Sequence, residues 1–113
     1  MDLRAEKVKW KDKKVKEIYM DAFSKDERMP FVFMVMLSKT TNTDFLAFYD
    51  KEILCGFIYI ATIDNLTFVM FFAVDKNIRS KGYGSAILSK VQSLYPDNKI
   101  ILSIERCDVD AEN

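Results

Sequence analysis

The sequence contains no histidine, two cysteines, three glycines and two prolines among 113 residues. Without histidine, the chain cannot hold a Ser-His or Cys-His catalytic pair, or a zinc site that uses an imidazole ligand. Cys55 and Cys107 lie far apart in the sequence and are too few to form a four-thiolate site. We therefore expect no metal cofactor, and we interpret Cys55, inside an apolar run, as a small buried hydrophobic residue.

Long apolar runs and an excess of one charge are also missing. The longest apolar run, residues 53–61, is about half of the ~18 residues that a membrane-spanning helix needs. Residues 1–14 carry five lysines and no apolar core of the kind a secretory signal requires. The net charge is zero, which argues against binding along a nucleic-acid backbone. These features predict a cytoplasmic protein with reduced cysteines and no membrane or nucleic-acid partner.

Half of the residues are hydrophobic, so the chain can bury enough surface to offset the entropy of ordering, and general disorder is excluded. Its length fits one domain, residues 1–113.

Three segments have the periodicity of helices. Apolar residues from Val15 to Phe23 follow a 3.6-residue spacing, with Asp12 as the predicted N-cap. Pro30 can open a second helix, whose residues 31–37 are apolar on all sides and must be deeply packed or lie against a ligand; core packing is the favoured interpretation. A third helix begins near Gly84 and ends at Pro96.

Strand patterns occupy the rest of the chain. A weak strand is predicted within residues 1–9, followed after the two helices by strands at 45–49, 53–60 and 66–74, with short turns that favour an antiparallel meander. A last strand at 99–104 follows the third helix, so residues 66–104 form a βαβ unit with parallel strands. This order indicates an α+β fold with layers in the order α/β/α. Ligands of such units bind beyond the strand ends, which here means residues 73–85.

That segment contains a candidate phosphate site. Gly82 and Gly84 stand at the entrance of the third helix, close to Arg79 and Lys81. Free N–H groups at a helix start, close backbone approach at glycine and nearby positive charge together favour a phosphate group. The alternative is that the glycines only shape a turn, since neither the dinucleotide fingerprint nor the nucleotide P-loop is present.

The pattern Arg79-x-x-Gly82-x-Gly84, after an apolar strand and at the start of a helix, resembles the acyl-CoA signature of the GNAT-type N-acetyltransferase superfamily. The order of the elements is also similar over nearly the whole chain. The resemblance implies a mixed sheet in which the parallel strands splay apart to admit the pantetheine arm of acetyl-CoA. It implies that main chain of Ala73 and Val74 pairs with that arm, and that Arg79 adds charge at the pyrophosphate. The backbone amides implied to hold the pyrophosphate are those of Lys81, Gly82, Tyr83, Gly84 and Ser85.

The resemblance also implies that an acceptor amine attacks the thioester, and that a backbone N–H near Val74 stabilises the oxyanion. Glu105 is the candidate general base, although a surface ion pair with Arg106 explains it equally well. Asp75 and the hydroxyl of Tyr83 are weaker candidates, because Asp75 should face the loop and Tyr83 should pack at the helix start.

The sequence departs from the family pattern after the last strand. Family members continue with another helix and two strands, which supply a tyrosine acid and part of the acceptor site; here the sequence stops at Asn113. We therefore expect a C-terminally truncated domain or a minimal natural variant, whose last strand has an edge that could pair in a homodimer. Three functions stay open: acetyl transfer to a primary amine, non-catalytic acyl-CoA binding or regulation, and phosphate binding without specificity for CoA.

Overall fold

The helices and strands follow the chain in the predicted order. The computed structural model describes residues 2–40, 42–78 and 81–102. The elements are β1 (Arg4–Lys7), α1 (Lys13–Ala22), α2 (Phe31–Thr40), β2 (Thr43–Asp50), β3 (Ile53–Ile63), β4 (Leu66–Val74), a 3-10 turn (Lys76–Ile78), α3 (Tyr83–Leu94) and β5 (Lys99–Leu102).

The five strands form one mixed sheet in the order β1-β2-β3-β4-β5. Neighbours from β1 to β4 are antiparallel, which confirms the meander. The βαβ unit is confirmed as well, because β5 lies parallel to β4 from the pair Leu66–Lys99 to the pair Val69–Leu102. With helices on both faces of this sheet, the fold is of the α+β layered class that the sequence predicts.

Two helices cover one face of the sheet. α1 packs over β3 and β4, while α2 packs over β2. The apolar segment of α2 proves to be two-sided. Phe31, Met34 and Val35 are buried, as core packing predicts, but Val32 and Met36 on the other side are each 56% exposed.

The opposite face is covered by α3. Ile87 and Val91 of α3 are fully buried and join a core cluster with Phe72 and Cys55. Cys55 is a free, buried cysteine, as the sequence predicts, and burial raises the pKa of its thiol.

The start of α1 differs in detail from the expectation. Asp12 does occupy the N-cap position, but its side chain makes no cap hydrogen bond to the helix. Its carboxylate instead accepts the N–H of Lys9 at 2.9 Å. The tight turn between these residues, in which the Asp12 N–H donates to the Lys9 carbonyl at 3.0 Å, turns the carboxylate back toward the preceding chain.

Candidate active site

The connection from β4 to α3 turns sharply at Gly82. Gly82 is the N-cap of α3, with φ of 84° and ψ of 7°, in the left-handed region. A Cβ added there would meet no atom within 4 Å. Glycine is therefore favoured here by the backbone conformation and not by lack of space.

Gly84 has a different role from Gly82. A Cβ at Gly84 would lie 3.8 Å from the ring of Phe72 and 3.8 Å from Val74, which are ordinary contacts. The first turn of α3 thus lies directly over the last residues of β4. This packing brings the helix start and the strand end, which the sequence predicts to act together, into one place.

The first turn of α3 presents open backbone donors. Its first internal hydrogen bond runs from the Ala86 N–H to the Gly82 carbonyl at 3.1 Å, so the N–H groups of residues 83–85 have no partner within the helix. Within the described residues, no side chain caps this end, and the first turn contains no acidic residue. Donors in this arrangement favour an anion.

A glycine that the sequence analysis overlooked fixes the end of β4. A Cβ at Gly56 would lie 2.3 Å from the carbonyl oxygen of Ala73 and 3.0 Å from the Cα of Val74. Only glycine lets β3 approach β4 this closely at the two residues proposed to meet the cofactor arm. A lone glycine inside a strand is the available sequence signal for such an approach.

The middle of β4 contains a β-bulge at Met70. Tyr59 pairs with Phe71 and Ile60 pairs with Val69, so Met70 is an extra residue in β4. The bulge follows directly after the last described pair with β5, Val69–Leu102. Bulges bend a strand and often occur beside active sites. The predicted splay of the parallel pair would involve β5 residues after Leu102, outside the described residues.

Asp75 is held within the loop after β4. Its N–H donates to the Cys55 carbonyl at 2.7 Å, and its carboxylate accepts the Asn77 N–H at 3.0 Å. This loop role agrees with the weak candidacy of Asp75 as a base.

Tyr83 packs and hydrogen-bonds at the same time. Its ring packs against the core cluster beneath α3, as expected, and its hydroxyl donates to Oδ2 of Asp50 at 2.9 Å. This hydrogen bond raises the pKa of the Tyr83 hydroxyl. With its proton engaged by Asp50, the hydroxyl is poorly suited to act as an acid or base.

Aromatic side chains lie on the other face of β4, beneath α1. The ring of Phe71 lies 5.3 Å from that of Tyr19 and 5.0 Å from that of Phe23, both edge-on. Next to Phe71, Met70 is 45% exposed. An apolar surface therefore borders β4 on the face opposite α3.

Two predicted site residues, Arg79 and Glu105, lie outside the described residues. The others come together at one end of the sheet: Ala73 and Val74 at the end of β4, Gly82 at the helix start, and its neighbours Lys81, Tyr83, Gly84 and Ser85 around it. Within the described ranges there is no group of three or more cysteine, aspartate or glutamate side chains placed to hold a metal ion, and no helix is long and apolar enough to cross a membrane.

Several solved structures share this fold. A GNAT-family putative acetyltransferase from Bacteroides thetaiotaomicron aligns with a TM-score of 0.79 and 22% identity over 91% of this chain, which spans 61% of that protein. The N-acetyltransferase PaiA from Thermoplasma acidophilum, solved in complex with coenzyme A, aligns with a TM-score of 0.69 and 16% identity, covering 99% of this chain and 84% of that protein. An aminoglycoside acetyltransferase from an uncultured soil metagenomic sample, in complex with trehalose, aligns with a TM-score of 0.73 and 15% identity, covering 97% of this chain and 82% of that protein.

At these identities the likeness establishes the fold alone. No curated protein matches the sequence. The family model of the GNAT acetyltransferases matches residues 12–113, which includes every element from α1 onward. The chain belongs to the GNAT acetyltransferase family.

Proposed function

We propose that this domain transfers an acetyl group from acetyl-CoA to a primary amine. The observation that carries the proposal is the left-handed Gly82, which starts a helix whose first amides are open and lie over the end of β4. Family membership supports the reaction class, and the Thermoplasma relative that was solved with coenzyme A supports the ligand.

In this proposal the pyrophosphate of CoA binds the backbone amides of residues 81–85, with charge from Arg79. The pantetheine arm runs along main chain of Ala73 and Val74. Support for this path comes from β4, whose residues 71–74 pair with β3 on one side, while the described part of β5 pairs only with residues 66–69 on the other.

The reaction exchanges the C–S bond of the thioester for an N–C bond and moves a proton at each end. The neutral amine nitrogen attacks the thioester carbonyl carbon, an N–C bond forms, and the C–S bond breaks when the tetrahedral intermediate collapses. The amine loses a proton, for which Glu105 is the proposed acceptor, and the departing thiolate gains one. A backbone N–H near Val74 is proposed to stabilise the oxyanion.

The acceptor site is proposed to lie on the α1 face of β4, where the rings of Phe23 and Phe71 pack edge-on and both residues are half-buried. α1 is the helix proposed to border the acceptor, because α1 packs over β4 whereas α2 packs over β2. The aromatic surface of Phe23 and Phe71 suits an acceptor, a small molecule or a peptide, that carries an apolar flank beside its amine.

A second candidate is a non-catalytic acyl-CoA-binding module. Two features favour it: β4 contains no acidic residue from Leu66 to Val74, and the carboxylate of Asp75 is engaged by the Asn77 N–H. Cofactor binding would then occur without turnover.

Calorimetry and a turnover assay separate the candidates. Titration with acetyl-CoA should give heat, whereas ATP at the same concentration should give none. Release of free CoA thiol is then followed over a panel of monoamines, polyamines and peptides. Binding of acetyl-CoA with no thiol release for any amine would favour the non-catalytic module, and equal binding of ATP would favour a general phosphate site. No heat with acetyl-CoA would contradict both CoA-based functions.

A further inference from the structure

Both ends of α3 are tied to the same strand by tyrosine–aspartate hydrogen bonds. At the start of the helix, Tyr83 donates to Asp50 at 2.9 Å. At its end, Tyr95 donates to Asp44 at 2.7 Å. The two aspartates lie at opposite ends of β2, so the helix runs antiparallel to this strand.

The spacing of the two pairs matches the geometry of the two elements. The twelve residue steps from Tyr83 to Tyr95 give a helical rise of about 18 Å, and the six steps from Asp44 to Asp50 give a strand rise of about 20 Å. The two tyrosine side chains therefore tether both ends of the helix to β2, while the helix itself packs on β3 and β4.

The pair at the helix start adds a polar anchor to a segment that is otherwise held by the packing of Tyr83 and Gly84 on the core beneath α3. Tyr83 is the only residue with a side chain between Gly82 and Gly84, and glycine leaves the backbone freer than any other residue. The left-handed φ of Gly82 is one of several conformations open to it. The Tyr83 side chain, anchored on Asp50 of the sheet, restricts the conformations that the Gly82 backbone can adopt.

We propose that the Tyr83–Asp50 hydrogen bond positions the first-turn amides of α3 for the pyrophosphate of CoA. The inference rests on the proposed function, and it makes Tyr83 a positioning residue through its hydroxyl, in addition to any contact its amide makes. The Tyr95–Asp44 pair has the same chemistry but lies at the far end of the helix, so it stabilises the fold without affecting the ligand.

A matched pair of variants tests this inference. Tyr83→Phe and Tyr95→Phe each remove one hydroxyl and keep the ring and the backbone amide. Calorimetry with CoA should show about tenfold weaker binding for Tyr83→Phe, in line with a lost hydrogen bond to a charged group, and unchanged binding for Tyr95→Phe. In kinetics, Tyr83→Phe should raise the KM for acetyl-CoA and leave kcat at saturation unchanged.

Amide hydrogen exchange gives a readout that needs no ligand. The Ala86 N–H, which makes the first internal hydrogen bond of α3, should exchange faster in Tyr83→Phe. The Tyr95 N–H, bonded to the Val91 carbonyl at 3.0 Å, should exchange faster only in Tyr95→Phe. Asp50→Asn, which keeps an acceptor for the hydroxyl, should bind CoA more tightly than Asp50→Ala.

The outcomes are distinguishable. If the unmodified protein binds no CoA, the proposed function fails and the inference fails with it. If the unmodified protein binds CoA and Tyr83→Phe binds equally well, the inference alone is overturned. An equal loss of CoA affinity in Tyr83→Phe and Tyr95→Phe would also overturn the inference, because the effect would then be one of general stability.

Discussion

The two ends of α3 have the same tyrosine–aspartate pairing in different backbone surroundings. At the C-terminal end the chain makes several hydrogen bonds: the Tyr95 N–H donates to the Val91 carbonyl, the Asn98 N–H donates to the Tyr95 carbonyl at 3.1 Å, and the Asn98 side chain donates to Thr67 at 2.9 Å. At the N-terminal end the donors of the first turn have no partner within the helix, and glycines flank the anchoring tyrosine. One helix thus has a closed end, where hydrogen bonds hold the C-terminal turn, and an open end, whose first-turn amides are proposed to bind the cofactor.

The largest expected difference between the two ends of α3 comes from adding one negative charge at either end and comparing the affinities for acetyl-CoA. Gly82→Glu puts an acidic side chain, on a strained left-handed backbone, where the anion is proposed to bind. We expect the affinity for acetyl-CoA, measured by calorimetry, to fall at least about a hundredfold, equivalent to ~2.7 kcal/mol.

Ser93→Glu is the control, because it adds the same charge at the exposed C-terminal end. Its affinity for acetyl-CoA should stay near that of the unmodified protein. Gly82→Ala separates the causes: it retains the backbone strain, about 1–2 kcal/mol, without the charge. Full affinity in Gly82→Glu would contradict the phosphate site.

The next effect concerns the sheet beneath the open end. Gly56→Ala forces a Cβ to within 2.3 Å of the Ala73 carbonyl oxygen, so β3 and β4 must separate. We expect the free energy of unfolding, measured by urea denaturation, to fall by about 1–3 kcal/mol. Gly84→Ala is the matched control, because its Cβ meets only ordinary contacts and a helical alanine adds about 0.5–1 kcal/mol. Equal stability in the two variants would contradict the close approach at Gly56.

The smallest expected effect is on stability and tests the structural role of the closed, C-terminal end of α3. Tyr95→Phe leaves Asp44 without its donor and should cost about 1–2 kcal/mol of unfolding free energy at neutral pH. The pKa of Tyr95 is raised in the folded state, mainly by burial and further by the hydrogen bond to Asp44.

The pH dependence follows from the sign of that shift. A raised folded-state pKa gives stability that is complete below the unfolded tyrosine pKa of about 10 and declines as pH rises toward the folded value. Thermal melts from pH 8 to pH 11 should therefore show a loss of stability above about pH 10 that is shallower in Tyr95→Phe. An identical alkaline slope would show that Tyr95 does not titrate with unfolding.

Much of the fold was predictable because its signals are local. The 3.6-residue spacing of apolar residues in α1 and α3, and the apolar runs of β2 to β4, arise within single elements. The sidedness of α2 was not predictable, because its sequence is apolar all round and only packing on β2 separates buried Met34 from exposed Met36.

Some features of the candidate site were likewise predictable from the sequence, and others were not. The glycines and the basic residues around the start of α3 are neighbours in the sequence, so their pattern was visible. The pairing of Tyr83 with Asp50 was not, since 33 residues separate them, and neither was the bulge at Met70, which exists only relative to β3.

The sequence alone specifies the order of the elements, the position of the glycine-containing turn and the family resemblance, because each depends on residues close together in the chain. The tertiary structure decided which helix covers β4, how near β3 approaches Ala73, and how α3 is fixed at both ends. These features depend on contacts between segments that are distant in the sequence, and such contacts form only when the helices pack on the two faces of the sheet.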